Sequence, residues 1–159
     1  MSADGSYSNG DAGWGFTVAP QDGLLTSDFY GPVVVSEGEG FIGAEHASNN
    51  TGELCAMLFA LAWIARHIHA PALVVLEYDS EYAADIACLR SRPTCNLALG
   101  MRLRTMAARC GSRIQWRKAR AHTGLTLNDH ADALAKFGAT GMTNVLVSDF
   151  SPDDPDYAE

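Results

Sequence analysis

Four carboxylates stand where they could work together: Asp4, Glu53, Asp79 and Asp132. Gathered at one place they would repel one another, so a fold that collects them needs cations to neutralise them. The chemistry they offer as a group is therefore cation binding. Each also has a plainer reading taken singly. Glu53 would favour a helix N-terminus, and Asp79 could cap the helix that follows it.

The elements around them decide whether they meet. Asp4 lies on an opening strand that is rich in small residues, with Gly10, Gly13 and Gly15 soon after it. Residues 13–19 (GWGFTVA) and 29–36 (FYGPVVVS) are β-branched and aromatic runs that predict antiparallel strands, and 40–47 (GFIGAEHA) is a weaker third candidate. From Asn50 to His69, Leu54, Met57, Leu58, Leu61, Ile64 and Ile68 recur at helical spacing. Asn50 or Thr51 would start that helix and Pro71 would stop it, which puts Glu53 in its first turn. Residues 72–79 (ALVVLEYD) form a nearly continuous apolar run, as in a strand covered on both faces. Asp79 would then sit at the carboxyl end of that strand, where ligands of open α/β sheets gather. Ser80 can cap a short helix to about Arg90, and Asn96 starts another that ends near Gly111. A strand follows in SRIQWRKARAH, and a last helix carries Asp132 from about Leu127 to Phe137, closed by Gly138 and Gly141. The order is that of one α/β domain with a mixed sheet, without internal repeats.

The totals agree with a single core: 159 residues, 47% of them hydrophobic. No run is long and apolar enough to span a bilayer and the N-terminus lacks signal-peptide character, so the expectation is a soluble, intracellular protein without a membrane partner. Cys55, Cys88, Cys95 and Cys110 show no CxxC pair, which argues against a zinc site and fits reduced thiols in a cytoplasmic or nuclear setting. The net charge of −8 would discourage a nucleic-acid partner until it is located. Residues 149–159 hold five acids and no base, which leaves 14 acids and 11 bases, a net of −3, in residues 1–148. Nine bases and no acid lie between Arg90 and Arg120, a block able to attract phosphates or simply to be a solvated face.

Four blocks, DGSYSNG, ASNNTGELCAML, EYDSEYA and AHTGLTLNDHADALA, resemble the active-site blocks of the type 1 ribonuclease H family in order and spacing, from Asp4 to about Gly138. The resemblance implies a ribonuclease H-like fold, a mixed five-stranded sheet with helices on both faces, over residues 1–142. It implies endonucleolytic hydrolysis of the RNA strand of RNA·DNA hybrids, giving 5′-phosphate and 3′-hydroxyl ends. Asp4, Glu53, Asp79 and Asp132 match the family's catalytic and metal-binding quartet, which holds two Mg²⁺ ions, with Mn²⁺ as a substitute. His122 matches a loop histidine that assists proton transfer or product departure. His46, His67, His69 and His130 have no such match.

By the same resemblance Gly5, Ser6, Tyr7, Asn49 and Asn50 line the hybrid, with Asn9 and Ser48 as phosphate contacts. Asn128 either orients His122 or the water, or caps its helix. The family's extra basic helix has no room between Arg90 and Asn96, so Arg90, Arg92, Arg102 and Arg104 are expected to grip the DNA strand instead. Glu81 stands where many relatives carry a base-reading glutamine. The long connection over residues 20–43 and the early start suggest a domain of a longer polypeptide, and the NNTGEL block with that connection resembles ribonuclease H domains of non-LTR retroelements, which implies a reverse transcriptase domain in the parent. The chain is expected to be a monomer. Residues 143–159 read as an acidic, flexible tail, either a linker remnant or a segment that folds back over the basic block.

Overall fold

The computed structural model describes residues 1–23, 25–120 and 126–145. Five strands form one sheet in the order β3-β2-β1-β4-β5, with β1 Ser2–Ser8, β2 Asp11–Val18, β3 Ser27–Pro32, β4 Val74–Tyr78 and β5 Ile114–Lys118. β1 pairs antiparallel with β2 and parallel with β4, β2 pairs antiparallel with β3, and β4 pairs parallel with β5, so the sheet is mixed. The helices are α1 Asn49–His67, α2 Glu81–Ala87, α3 Leu97–Cys110 and α4 Leu127–Ala139, with a 3₁₀ turn over Gly111–Arg113.

Glycines set how closely the layers approach. A Cβ on Gly5 would lie 2.1 Å from the Glu53 backbone nitrogen, and one on Gly52 would lie 2.7 Å from the Gly13 carbonyl oxygen. α1 thus rests its first turn directly on the β1–β2 backbone. On α4 the same device recurs: a Cβ on Gly13 would meet the Ala139 nitrogen at 2.1 Å, and one on Gly15 would meet that of Ala135 at 2.6 Å. β1 has little intrinsic strand propensity, yet it is central, because small residues are what two close helices demand.

The core lies between the sheet and α1, with α2 and α3 packed behind it. Phe16, Leu54, Leu58, Leu61, Ile64, Leu76, Leu99 and Leu103 are fully buried, and Trp14 stacks on Phe59 with ring centroids 4.1 Å apart. Trading this apolar surface for interior contacts is the main stabilising term.

Several boundaries differ from the sequence reading for identifiable reasons. β3 begins at Ser27 and ends at Pro32, not at 29–36, and the candidate strand over 40–47 is reduced to a single bridge between Val34 and Phe41. Gly40 and Gly43 there, like Gly38 just before, take positive φ, away from the extended strand region. Ser48, not Asn50 or Thr51, caps α1: its hydroxyl accepts from the Thr51 nitrogen at 3.1 Å. Only Leu76 of β4 is fully buried, since just one further strand lies beyond it. Gly138 is inside α4, pressed against Gly31, and Thr140 forms the C-cap.

Beyond α4 the chain returns to β3. Thr143 Oγ1 donates to the Tyr30 carbonyl at 3.0 Å, and the Tyr30 nitrogen donates to Asn144 Oδ1 at 3.0 Å. Asn144 Nδ2 completes the set by donating to the Asp28 carbonyl at 2.7 Å. These bonds occupy backbone groups of an otherwise open sheet edge.

Candidate active site

Register brings the first two carboxylates together. Ser2 is level with Glu77 and Ala3 with Tyr78 across the parallel β1–β4 pair, so one step further sets Asp4 beside Asp79. Gly5 lets α1 descend until Glu53 arrives at the same place. Gly15, opposite Asp4 on β2, lets α4 deliver Asp132. Four elements thus converge because three glycines, Gly5, Gly13 and Gly15, leave no side chain between them.

The electrostatics record the convergence. Burial pushes the Asp4 carboxyl up to about 7, and the charges of Asp132, Glu53 and Asp79 add to the rise, against the opposing hydrogen bond from the Gly5 nitrogen at 2.8 Å. Glu53 is also raised, by burial first and by Asp79, while a hydrogen bond from the Ser80 hydroxyl favours its charged form. Ser80 works in two directions, since its Oγ also accepts from the Ala83 nitrogen at 3.2 Å as the cap of α2. Asp132 pairs with Lys136 one turn later on α4, at 2.5 Å. Among the described residues, no three His, Cys, Asp or Glu side chains already close on one point as a metal cage would. The donor set nevertheless fits a hard divalent cation: carboxylate oxygens, mutually repelling, with the Lys136 ammonium on Asp132 at the edge.

His122 lies outside the described residues. Gly5 and Ser6 are buried under α1, and Tyr7 is 48% exposed. Asn9 sits at the β1–β2 turn with φ of 54°, beside Gly10 at 91°. Ser6, Tyr7, Asn9, Thr140 and Lys136, the partner of Asp132, line a cleft of about 490 Å³. Asn49 and Asn50 are exposed on the first turn of α1, whereas Ser48 is engaged as its cap. Asn128 does not cap α4. Thr126 does, in a reciprocal capping box with Asp129, and Asn128 is 4% exposed, its Oδ1 accepting from the Ser2 hydroxyl at 3.2 Å. Arg90 pairs with Asp85 at 2.7 Å, Arg104 Nε donates to the Ile86 carbonyl at 3.3 Å, Arg92 is exposed and Arg102 is half-buried.

Sequence reasoning missed three contributors. Ser80 was read only as a cap, yet its free proton is what steadies Glu53. Lys136 carried a findable signal, since Asp132 and Lys136 are four apart on one helix. Asn96 starts α3 as read, as its N-cap, but it is also fully buried with φ of 51°, a second role that the sequence reading missed. Its side chain accepts from the Glu45 nitrogen at 2.8 Å and donates to Thr51 Oγ1 at 3.2 Å, locking α3 to the start of α1.

The fold is that of the ribonuclease H-like class of α/β proteins, with an acidic centre at the carboxyl end of its sheet. The chain belongs to the RNase H family, whose model matches residues 1–140. It is 32% identical over 142 residues to a Ribonuclease H of Albidiferax ferrireducens, covering 81% of this chain and 84% of that relative. A Ribonuclease H of Verminephrobacter eiseniae is 34% identical over 111 residues, 62% of this chain and 69% of the relative. Among solved structures, RNase H1 of Halobacterium salinarum superposes with a TM-score of 0.61 at 19% identity, covering 89% of this chain and 96% of that one. The N-terminal RNase H domain of a Mycobacterium tuberculosis protein superposes with a TM-score of 0.62 at 19% identity, covering 87% and 90%. At these identities the structural likeness speaks for the fold alone.

Proposed function

We propose that the chain hydrolyses the RNA strand of RNA·DNA hybrids with two divalent cations held by Asp4, Glu53, Asp79 and Asp132. The observation that carries this reading is the meeting of four carboxylates around Asp4 in a chain of the RNase H family. Mg²⁺ is the expected ion and Mn²⁺ its substitute. When bound, the cations supply charge stabilisation at the scissile phosphate and a more acidic attacking water.

The chain's own residues do the rest. Asp4, central to the group, gives up its proton more readily once positive charge stands beside it. A hydrogen bond from Ser80 favours the charged form of Glu53 against burial and Asp79. Lys136 holds Asp132 on the rim. Ser6, Tyr7 and Asn9, with Asn49 and Asn50 on α1, offer small donors and acceptors suited to sensing a 2′-hydroxyl. His122 is assigned to proton transfer or product departure. In-line displacement with retention of the 5′ oxygen on phosphorus leaves 5′-phosphate and 3′-hydroxyl ends. All four cysteines are free, which supports an intracellular setting.

The test is cleavage of end-labelled RNA·DNA hybrid with Mg²⁺ and then Mn²⁺, beside RNA·RNA and DNA·DNA duplexes and an Asp79→Asn variant. Cleavage of RNA in the hybrid alone, lost in the variant, is the expected result. A folded chain that binds hybrid and cuts with neither metal would instead be a tethering domain.

A further inference from the structure

β2, α1 and the segment after β3 enclose an apolar pocket of about 270 Å³. Trp14, 3% exposed, and Phe59, 4% exposed, are its most deeply buried walls, with Pro32, Val34 and Gly40 nearer the surface. The Trp14 indole nitrogen is already used, donating to the Pro32 carbonyl at 3.2 Å, so the ring offers the pocket apolar surface. Among the described lining residues only Glu39 is charged, and it is exposed. None of the four active-site carboxylates lines this pocket.

The chain itself leads there. The Asn144 nitrogen donates to the Tyr30 carbonyl at 3.3 Å and the Tyr30 nitrogen donates to Asn144 Oδ1 at 3.0 Å, so the segment beyond α4 lies along β3. Val145, the last described residue, packs on the core and lines the pocket. Leu146, Val147 and Ser148 come next, all uncharged, and the first acid after them is Asp149. An extended chain advances about 3.3 Å per residue and turns alternate side chains the same way, so Val147 would follow Val145 toward Trp14 and Phe59. Burying aliphatic side chains so close to an anchored residue gains apolar contact while closing almost no loop. Glu39 at the rim repels the acids that begin at Asp149, which limits how far the docking can run.

We propose that residues 146–148 dock in this pocket and continue the strap that Thr143 and Asn144 begin. The strap then ties β3 and the segment over Val34 and Phe41, which are bridged to each other, to the middle of α1. That segment runs on to Ser48, the cap of the helix whose first turn carries Glu53. The inference is independent of the hydrolase reading and would hold for an inactive chain.

Two measurements on the full chain test it. In the isotope-labelled wild type, nuclear Overhauser effects should connect the Val147 methyl groups with the Trp14 and Phe59 rings. Leu146→Asp combined with Val147→Asp should lower Tm by about 5 °C, the milder pair Leu146→Ala and Val147→Ala should lower it less, and Asp153→Asn with Asp154→Asn should leave it unchanged. Absence of those Overhauser effects, or a Tm that stays within about 1 °C of wild type in the Asp pair, overturns the proposal. Overhauser effects found only between differently labelled chains would put a second copy in the pocket and overturn it as well.

Discussion

The acidic end of the sheet and the basic stretch from Arg90 to Arg120 look like opposites in sequence, and they behave as opposites in three dimensions. The nine bases share one stretch of chain without an acid, yet most are occupied. Arg113 donates to the carbonyls of Ile68 and Arg109, both at 2.6 Å, and to that of Cys110 at 3.0 Å. Arg104 ties α3 to Ile86 and Ser91, and Arg90, Arg117 and Lys118 each hold a carboxylate. The four acids are scattered over 129 residues, from Asp4 to Asp132, yet meet, and the charges of the other three still push the Asp4 carboxyl up. Unbalanced charge marks the site here; charge that is merely consecutive in sequence is largely consumed by structure.

The sharpest way to break that contrast is at the acids. Asp79→Asn should lower the hydrolysis rate by about a thousandfold or more, the equivalent of several kcal/mol of lost charge stabilisation, with little change in Tm. A variant retaining a tenth of wild-type activity would remove Asp79 from the site. Gly5→Ala tests how the acids are brought together. Its methyl group would need space now held by the Glu53 backbone, 2.1 Å away, so α1 must shift. The expected cost is about 1–3 kcal/mol in denaturant unfolding, accompanied by loss of most activity. Full activity in this variant would mean that the close approach of α1 to β1 does not set the position of Glu53.

The basic region should respond the other way. Arg113→Ala leaves several carbonyls at the ends of α1 and α3 without their charged donor and should destabilise the protein by about 2 kcal/mol, with hybrid affinity per folded molecule unchanged. Arg92→Ala, at an exposed position, should leave stability within about 0.5 kcal/mol and reduce the salt dependence of hybrid binding instead. If both variants behaved alike in both assays, the division between occupied and available bases would be wrong.

How much of this was legible in the sequence follows the same division. α1 was readable from its apolar spacing, and β5 and α4 lay close to where composition put them, because each keeps its periodicity. β1 gave no such signal: SADGSYS is a strand only because α1 and α4 both press on it, a tertiary effect that leaves small residues and no pattern. The quartet was visible through its motifs, but the device that assembles it, glycines chosen for close approach, was visible only as glycines. Ser80 and Lys136 were missed because their roles depend on which partner the fold brings within reach. Asn96 was rightly read as the start of α3, but its tie to α1 was not legible, because burial of a polar side chain leaves no trace in local composition.

The pH dependence of stability is the most direct reading of the crowded acids. Asp4 has a carboxyl pushed up to about 7 in the folded, cation-free chain and an ordinary value of 3.8 when unfolded. Between those values the folded state keeps a proton that the unfolded state has released, so this group's contribution favours folding at acidic pH. The contribution is complete below about pH 4 and is lost as pH rises to about 7, above which it no longer changes. The difference in unfolding free energy between wild type and Asp4→Asn, followed from pH 4 to 8 in EDTA, should therefore shift against the wild type by at most about 1.4 kcal/mol per pH unit and level off near neutrality. Saturating Mg²⁺ should remove most of that slope, since a cation bound to the carboxylates favours the same deprotonated form that high pH does. A slope of the opposite sign would mean that Asp4 is stabilised as an anion within the fold, and that the acids do not crowd it.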